Sequence, residues 1–473
     1  MAAAGGICGG KSQRGARRER RLYMANLNDK TKFIPGRNPF AENDRPSFAR
    51  PEQTEAALWI TDGKQDSRSG AAAFEGEIRG NAVTDFRLTS DEKELNAIVV
   101  SGGTQVLMNP EIHLSGPGCS DFTCKGTGVL VVDGAKVDIR GGEIETRGAT
   151  RSATIATTGA TLKVFDSKLS THGGPLPDWY EPVIGPGMME PPYPLGLGGN
   201  CRTHLSMDNS ESYFYGCDIF AEAWAALSTD SSGGYVYLEA NDSRIAVNGN
   251  GYVVYADNGC HVVLNRCEIS SGNVFGIQDG NSSIRFRDVA GACRGYGFLI
   301  HGGMSDLKDI GTIRLTDCDL QSDGPMFRCK STNVDLYVKN SKITCSGGTI
   351  LETMLTDDDH YARNRTRGMD QYGVQVTFEK MELQGDLRCE DPERKTCVNL
   401  AETSLRGVIT GYPRLRLTAG SRWTATGDSF VTILEGADAI DAAEGITVTA
   451  KTDSLAPGTT VLPSGGNLVV VKD

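Results

Sequence analysis

The feature that most constrains this chain is a short pattern that recurs at intervals of about 25 residues. Each copy has a turn residue, a strand of alternating apolar residues, a small residue and, two positions later, an aliphatic or aromatic residue. Most intervals between copies are one or two multiples of about 25, and intervals of about 40 fit one repeat with an inserted loop. The copies end at Ile144, Leu169, Ile219, Ile245, Ile269, Leu320, Ile343, Leu383 and Trp423.

Within the copies, apolar and polar residues alternate, as at Leu162 and Val164 or at Ile313 and Leu315. Alternation with period two indicates strands, whereas helical repeats need apolar residues at a period of 3.6. The sequence therefore predicts an all-β fold. We expect a right-handed parallel β-helix, a solenoid of about 13 rungs of about 25 residues with inserted loops.

The small residue two positions before each aliphatic residue predicts an inward column of stacked small side chains, which explains many of the cysteines as packing residues. Its members are Ser167, Cys217, Ser243, Cys267, Cys318 and Ser341.

The domain organisation follows from where the repeat begins and ends. We expect a disordered or extended arm over residues 1–45, and an N-terminal cap with the first rungs over 46–95. The β-helix spans 96–450, with loop insertions at 172–202 and 353–372. Residues 451–473 form a capping strand.

Composition restricts the partners and the compartment. The 48 basic and 60 acidic residues give a net charge of −12, which argues against a nucleic-acid partner. No apolar run is long enough for a membrane-spanning helix. The 13 cysteines have no paired spacing, and the N-terminus lacks the apolar core of a secretory signal. We therefore expect reduced thiols and a cytoplasmic location.

Over residues 80–450 the repeat resembles that of the pectin-lyase-like superfamily. That superfamily includes polysaccharide lyases, polygalacturonase-type glycoside hydrolases, sugar epimerases, phage tailspikes and adhesin stalks, so the resemblance implies a fold but not one function. Segments 228–230, 357–358 and 301–303 resemble three polygalacturonase motifs, and the fourth is absent. Segment 296–301 resembles a C5-epimerase motif but lacks its Asp-Pro.

A pectate-lyase type of reaction would need carboxylates that hold Ca²⁺ and an arginine base. The candidate metal ligands are Asp357, Asp358 and Asp359, close in sequence to Arg363. The alternative is a solvated loop tip, and we expect no resident metal. No nucleotide-binding motif is present, so we expect no organic cofactor.

The two insertions are the most informative loops, because β-helix functions usually reside in loops at the turns. The first contains Trp179 and Tyr180 among seven prolines, and the second contains His360 and Arg363. Exposed aromatic residues are costly, so the first loop either packs on the outside of the coils or covers a groove.

Between the insertions we predict an acid–base site. His204 or His301, with Tyr180 or Tyr255, would transfer protons. Asp230 and Asp257 would orient these acid–base side chains. With Asp279, these two acids have the spacing of a stacked column, which could instead cap turn amides. The expected substrate-binding residues are Arg202, Trp179, Trp224, His172, Arg363 and His360.

The sequence favours a cofactor-independent enzyme with lyase or isomerase type proton-transfer chemistry. The expected partner is an oligosaccharide or another small ring-shaped, anionic molecule, bound in a groove on the side of the β-helix. A homo-oligomer is compatible with the sequence. The alternatives are a non-catalytic binding or adhesin-like protein and an inverting glycoside hydrolase.

Overall fold

The computed structural model describes residues 54–118, 124–173, 201–230, 235–302, 309–356, 372–418, 420–452 and 454–472. This part of the chain is all-β, with long sheets of parallel strands, and its one helical element is the 3-10 helix Ala437–Ala439. Within the same ranges, no helix is long and apolar enough to cross a bilayer. The architecture is consistent with a solenoid, as the repeat predicted.

In the middle of the chain, each coil contributes one strand to each of three parallel ladders, which we call faces 1, 2 and 3 in chain order. One coil, for example, consists of Gly251–Ala256, Cys260–Asn265 and Glu268–Ser271. Face 1 is a sheet of its own, and faces 2 and 3 belong to a second sheet. Near the C-terminus, a four-stranded parallel sheet lies next to the last strand of face 3.

Face 1 consists of Lys64–Gln65, Ala56–Thr61, Asn96–Ser101, Val129–Val132, Ser152–Ala156, Arg202–Met207, Trp224–Asp230, Gly251–Ala256, Val274–Asp279, Phe298–His301, Phe327–Lys330, Thr349–Met354, Asp386–Cys389 and Ile409–Thr410. Face 2 consists of Thr104–Met108, Lys136–Arg140, Thr161–Phe165, Glu211–Tyr215, Val236–Asn241, Cys260–Asn265, Ser283–Arg287, Gly311–Thr316, Val334–Lys339, Val374–Glu379, Thr396–Ala401, Arg414–Leu417, Ser429–Glu435, Thr447–Lys451 and Asn467–Val471.

Face 3 consists of Glu111–Ser115, Glu143–Arg147, Lys168–His172, Asp218–Ala221, Arg244–Val247, Glu268–Ser271, Ala290–Cys293, Asp319–Ser322 and Lys342–Cys345. The four-stranded sheet consists of Glu382–Gln384, Ser404–Arg406, Arg422–Ala425 and Ile440–Ala442. Ala82–Ser90 pairs with the first strands of both face 2 and face 3, and with Glu75–Arg79 antiparallel to it. Gly458–Val461 pairs antiparallel with Asn467–Val471.

The predicted repeat corresponds to a face 2 strand, a tight turn and a face 3 strand. Leu169 pairs directly with Ile219, so the interval of 50 residues between them is one coil with a long insertion. The interval of 40 residues between Leu383 and Trp423 is not one coil with an insertion but two short coils, because Leu405 pairs with both residues. The sequence spacing alone did not distinguish these cases.

The turn between faces 2 and 3 has a regular construction. A residue with positive φ, such as Asp242 at 53° or Arg266 at 50°, bends the chain, and a small buried residue follows it. The Ser243 hydroxyl accepts a hydrogen bond from the backbone N–H of Cys217 at 3.0 Å. Buried turn amides are thereby satisfied. The predicted inward column of small residues is confirmed, since all six members are buried.

Face 1 differs from the other faces because many of its strands are buried on both sides. Strands of face 2 alternate between buried and half-exposed residues, as Glu211–Tyr215 does. By contrast, Arg202–Met207, Gly251–Ala256 and Val274–Asp279 are buried at every residue. Strands packed on both sides lose the polar–apolar alternation. Face 1 therefore has a buried outer side as well as an inner side that faces the coil interior.

Candidate functional site

An apolar cluster lies on the outer side of face 1, separate from the main core. Its aromatic members are Trp224, Tyr252 and Tyr255, with ring centroids 6.1 Å apart in the first pair and 5.5 Å in the second. Aromatic rings give a binding surface large apolar area together with polar edges. The remaining members are Ala225, Val274, Ile277 and Leu299, with Tyr296 packed against them.

A cation lies at one edge of this aromatic cluster. The Arg202 guanidinium is 5.7 Å from the centre of the Trp224 ring. Its Nε donates to the Ser228 hydroxyl at 3.3 Å, and the same hydroxyl lies 3.1 Å from the Tyr252 hydroxyl. Arg202, Trp224 and Tyr255 were predicted site residues, and the fold brings these three to one surface.

Trp224 owes its position to an unusual backbone. Its φ of 76° lies in the left-handed region, which bulky residues rarely adopt. Its register partner in the next coil is Gly251. A Cβ on Gly251 would approach the Trp224 carbonyl oxygen to 2.2 Å, so the glycine is required for the close approach of these two strands.

A column of ionisable residues runs beside the aromatic cluster. The register of face 1 pairs Asp279 with His301, and His301 with Lys330. The three residues are 0 %, 2 % and 2 % exposed. Neighbouring parallel strands lie about 4.8 Å apart, so these side chains follow one another at that spacing. Buried ionisable groups in one row require mutual compensation, and this row contains both signs of charge.

Two further acids continue the column. Asp257 follows Ala256, whose register partner Gln278 directly precedes Asp279. Asp230 lies two residues beyond Ser228, the partner of Tyr255, and so occupies the same row one coil earlier. The row therefore consists of Asp230, Asp257, Asp279, His301 and Lys330.

The closest contact within this row is a carboxylate–imidazole pair. His301 Nδ1 lies 3.3 Å from Asp279 Oδ1. A carboxylate on one ring nitrogen fixes the tautomer and orientation of a histidine, and the other ring nitrogen then exchanges protons. Of the described residues, this pair is the best suited to acid–base chemistry.

An arginine lies one column away from His301 and Lys330. Arg328 pairs in register with Leu299 on one side and Glu352 on the other. Its guanidinium stacks 3.8 Å from the centre of the Tyr296 ring, and it hydrogen-bonds to both the Tyr296 hydroxyl and the Glu352 carboxylate. Both charged side chains are partly exposed, and the Glu352 carboxylate neutralises the charge of Arg328.

Two of the predicted histidines, His204 and His172, do not belong to this site. His204 lies inside the coil, fully buried, with its ring 4.9 Å from Phe214. Its nitrogens hydrogen-bond to the hydroxyls of Thr154 at 2.9 Å and Ser206 at 2.8 Å. Burial lowers the pKa of His204 to about 3. We therefore assign His204 a structural role, which corrects the prediction that it transfers protons in the acid–base site between the insertions.

His172 lies at the end of a face 3 strand. Its ring nitrogens are 3.8 Å from Glu145 and 3.8 Å from Glu222. It thus lies in a surface cluster with two glutamates, on a different face from the column. The other predicted residues lie outside the described part of the chain. They are Trp179, Tyr180, Asp357, Asp358, Asp359, His360 and Arg363.

No group of three or more potential metal ligands is found in the ranges that the structure describes. Two surface cavities in the described part of the chain lie away from the column on face 1. One, of about 400 Å³, is lined by Phe74, Arg87 and His113, and the other, of about 750 Å³, by Lys342 and Arg406. Neither cavity is lined by Asp279 or His301. We base the candidate site on the column of face 1 because it contains this buried carboxylate–imidazole pair.

Several members of the site were not predicted from the sequence. Lys330, Arg328, Tyr252 and Ser228 were not proposed, although they adjoin predicted residues. An alignment of the face 1 strands would have found Lys330, because FLIH and FRCK end in the same column. The repeating pattern in the sequence comes from faces 2 and 3 and does not include the face 1 strands.

Comparisons with known proteins do not assign this chain to a family. No family model, curated protein or solved structure matches it.

Proposed function

We propose that the outer side of face 1 is the active site of a cofactor-independent enzyme. Its reaction is a proton transfer of the lyase or isomerase type on an anionic carbohydrate or a similar ring-shaped substrate. The observation that carries this proposal is the buried contact of 3.3 Å between His301 Nδ1 and Asp279 Oδ1, in a row that also contains Lys330.

In this proposal His301 is the base. The Asp279 carboxylate beside Nδ1 favours a proton on that nitrogen, so Nε2 accepts the proton of a substrate carbon next to a carboxylate, and the C–H electron pair becomes an enolate. In a lyase, that pair then forms a double bond and expels the neighbouring oxygen substituent. In an isomerase, the carbon receives a proton on its opposite face from a second acid, for which Tyr255 is the predicted tyrosine that lies in the described part of the chain.

The surrounding residues account for the substrate class. Trp224, Tyr252 and Tyr255 provide flat apolar surfaces that suit a sugar ring. Lys330, the register partner of His301, provides positive charge for the substrate carboxylate and for the enolate that develops from it, while Arg202, five coils away, provides positive charge for another unit of a polymeric substrate. Because the His301 ring is 3 % exposed, the reaction requires this side of face 1 to open to substrate.

The stacked carboxylates favour a second candidate, an inverting glycoside hydrolase. Asp230 and Asp279 are two coils apart, or roughly 9–10 Å along the column. This is near the upper end of the separation of about 6.5–9.5 Å that inverting enzymes use to admit a water molecule. In that case, one acid would protonate the leaving oxygen and the other would activate water.

We further propose that the chain is a right-handed parallel β-helix of about 13 rungs, of the pectin-lyase-like type. Three parallel ladders with a short turn between faces 2 and 3 support this. The position of the site supports it as well, because insertions 172–202 and 353–372 adjoin the ends of face 1 strands in the sequence.

The reaction class can be tested with polygalacturonate, alginate and hyaluronate in D₂O. An unsaturated product indicates a lyase, and deuterium at carbon without cleavage indicates an isomerase. New reducing ends without unsaturation would favour the hydrolase instead. Absence of all three products would contradict an enzyme acting on uronate polymers.

A further inference from the structure

A second surface with ligand-binding chemistry lies on the outer side of face 2. Tyrosine and glutamate alternate there in a checkerboard. Glu211 is the register partner of Tyr237, and Tyr213 is the register partner of Glu239. The Tyr213 hydroxyl donates to Glu211 at 2.9 Å, and the Tyr237 hydroxyl donates to Glu239 at 2.6 Å. The polar edges of the rings are thus occupied by carboxylates, while the ring planes form part of the surface.

Further aromatic rings extend this surface. Phe165 and Tyr215 stack at 5.1 Å with an interplanar angle of 12°, and the Tyr213 and Tyr237 rings lie 5.7 Å apart. All four side chains are half-buried. At one end, Tyr235 is 50 % exposed. We call Phe165, Glu211, Tyr213, Tyr215, Tyr237 and Glu239 the Tyr–Glu patch.

Planar polar groups line the far side of the patch. Asn241 Nδ2 donates to Glu239 at 2.9 Å, and Asn265 Nδ2 donates to the Asn241 side chain at 3.0 Å. Carboxylates and amides together offer both acceptors and donors to hydroxyl groups. The two carboxylates at the centre outnumber the cation beside them, Lys163, whose Nζ lies 5.8 Å from the centre of the Tyr213 ring, so the net negative charge disfavours a polyanion.

We propose that the Tyr–Glu patch binds a neutral, hydroxyl-rich polysaccharide chain that runs along the axis of the coils. Sugar rings present apolar faces that pack on aromatic planes, and their hydroxyls fit the carboxylates and amides. A tyrosine–glutamate pair occurs in each of two adjacent coils about 4.8 Å apart, which suits neighbouring units of a polymer better than a single small molecule. This proposal does not depend on the site on face 1.

Affinity electrophoresis tests the proposal directly. Native gels would contain dextran, glucomannan, xylan or galactomannan, with polygalacturonate as the anionic comparison and polylysine as the cationic one. We expect at least one neutral polysaccharide to retard the chain. The double variant Tyr213→Ala/Tyr237→Ala should bind it about tenfold more weakly.

The matched control is Tyr337→Ala. Tyr337 occupies the same face 2 column as Tyr213 in a distant coil, and its hydroxyl also donates to a glutamate, Glu379, at 2.5 Å. This variant should be retarded like the unmodified chain, as should His301→Gln. Equal retardation of the double variant would overturn the proposal. Retardation by only polygalacturonate or polylysine, or by no polymer, would overturn it as well.

Discussion

Asp279 and His301 are register partners in neighbouring strands of face 1, and their side chains meet at 3.3 Å on its buried outer side. The pairing joins residues that are 22 positions apart in the chain. It places a carboxylate and an imidazole together without any contribution from a loop. Strand register, and therefore the whole stack of coils, fixes the geometry of the candidate site.

Asp279→Asn tests whether this carboxylate positions His301. The amide keeps the shape but removes the charge that orients the ring, so turnover should fall by roughly 10- to 100-fold, with a smaller change in KM. Steady-state kinetics on the substrate found in D₂O would measure both. Asp138→Asn, on the half-exposed side of face 2, should leave both constants unchanged. An Asp279→Asn enzyme with full kcat would rule out the positioning role.

His204→Gln tests the structural role of the inner histidine. Its pKa is about 3 in the folded chain and about 6.5 when unfolded, so between these values the unfolded state binds more protons. The free energy of unfolding should therefore fall as the pH drops from 6.5 towards 3, by up to about 1.4 kcal/mol per pH unit.

Urea denaturation at a series of pH values would measure this dependence. His204→Gln should flatten it, whereas the surface variant His113→Gln should not. The same slope in both variants would show that His204 is not the group responsible.

Gly251→Ala should destabilise the fold around Trp224. The added Cβ would meet the Trp224 carbonyl, which belongs to the backbone and cannot rotate away. We expect a loss of about 1–3 kcal/mol in urea denaturation. Gly427→Ala is the control, since its nearest contact is a Val408 side-chain methyl at 3.1 Å. Comparable stability of the two variants would contradict the close approach of these strands.

The fully buried cysteines of the described part of the chain should be unreactive in the folded state. Burial raises the pKa of Cys201 to about 11 and that of Cys293 to about 12, so little thiolate is present at neutral pH. Of the eleven described cysteines, only Cys345 and Cys397 are not fully buried. Mass-spectrometric mapping after alkylation should find native labelling at these two and labelling of all eleven in denaturant. Disulfides among them in denatured, non-reduced protein would contradict this account.

The sequence was sufficient for the fold class because the turn between faces 2 and 3 repeats its chemistry. A small inward residue and an aliphatic one two positions later, as at Cys267 and Ile269, recur in coil after coil. Where this signal was weak, the repeat was missed. Gly291 occupies the aliphatic column in the coil between Ile269 and Leu320.

The site was predictable only in part, because alternation fails where a strand is buried on both sides. In Arg202–Met207, the apolar Leu205 and Met207 would be expected to face the core, leaving His204 outside. The reverse holds: both apolar residues belong to a cluster outside the main core, and His204 packs against Phe214. The row of acids could be predicted from the sequence, because the spacing of Asp230, Asp257 and Asp279 follows the repeat.

Turnover by His301→Gln tests the central claim most directly. The variant would be compared with His204→Gln and with the unmodified chain on the same uronate substrate, with folding checked by circular dichroism. We predict that His301→Gln loses about 10²–10⁴-fold in kcat with its β-sheet spectrum intact, while His204→Gln, when folded, retains most activity. Full turnover by folded His301→Gln would contradict the assignment of the active site to the outer side of face 1.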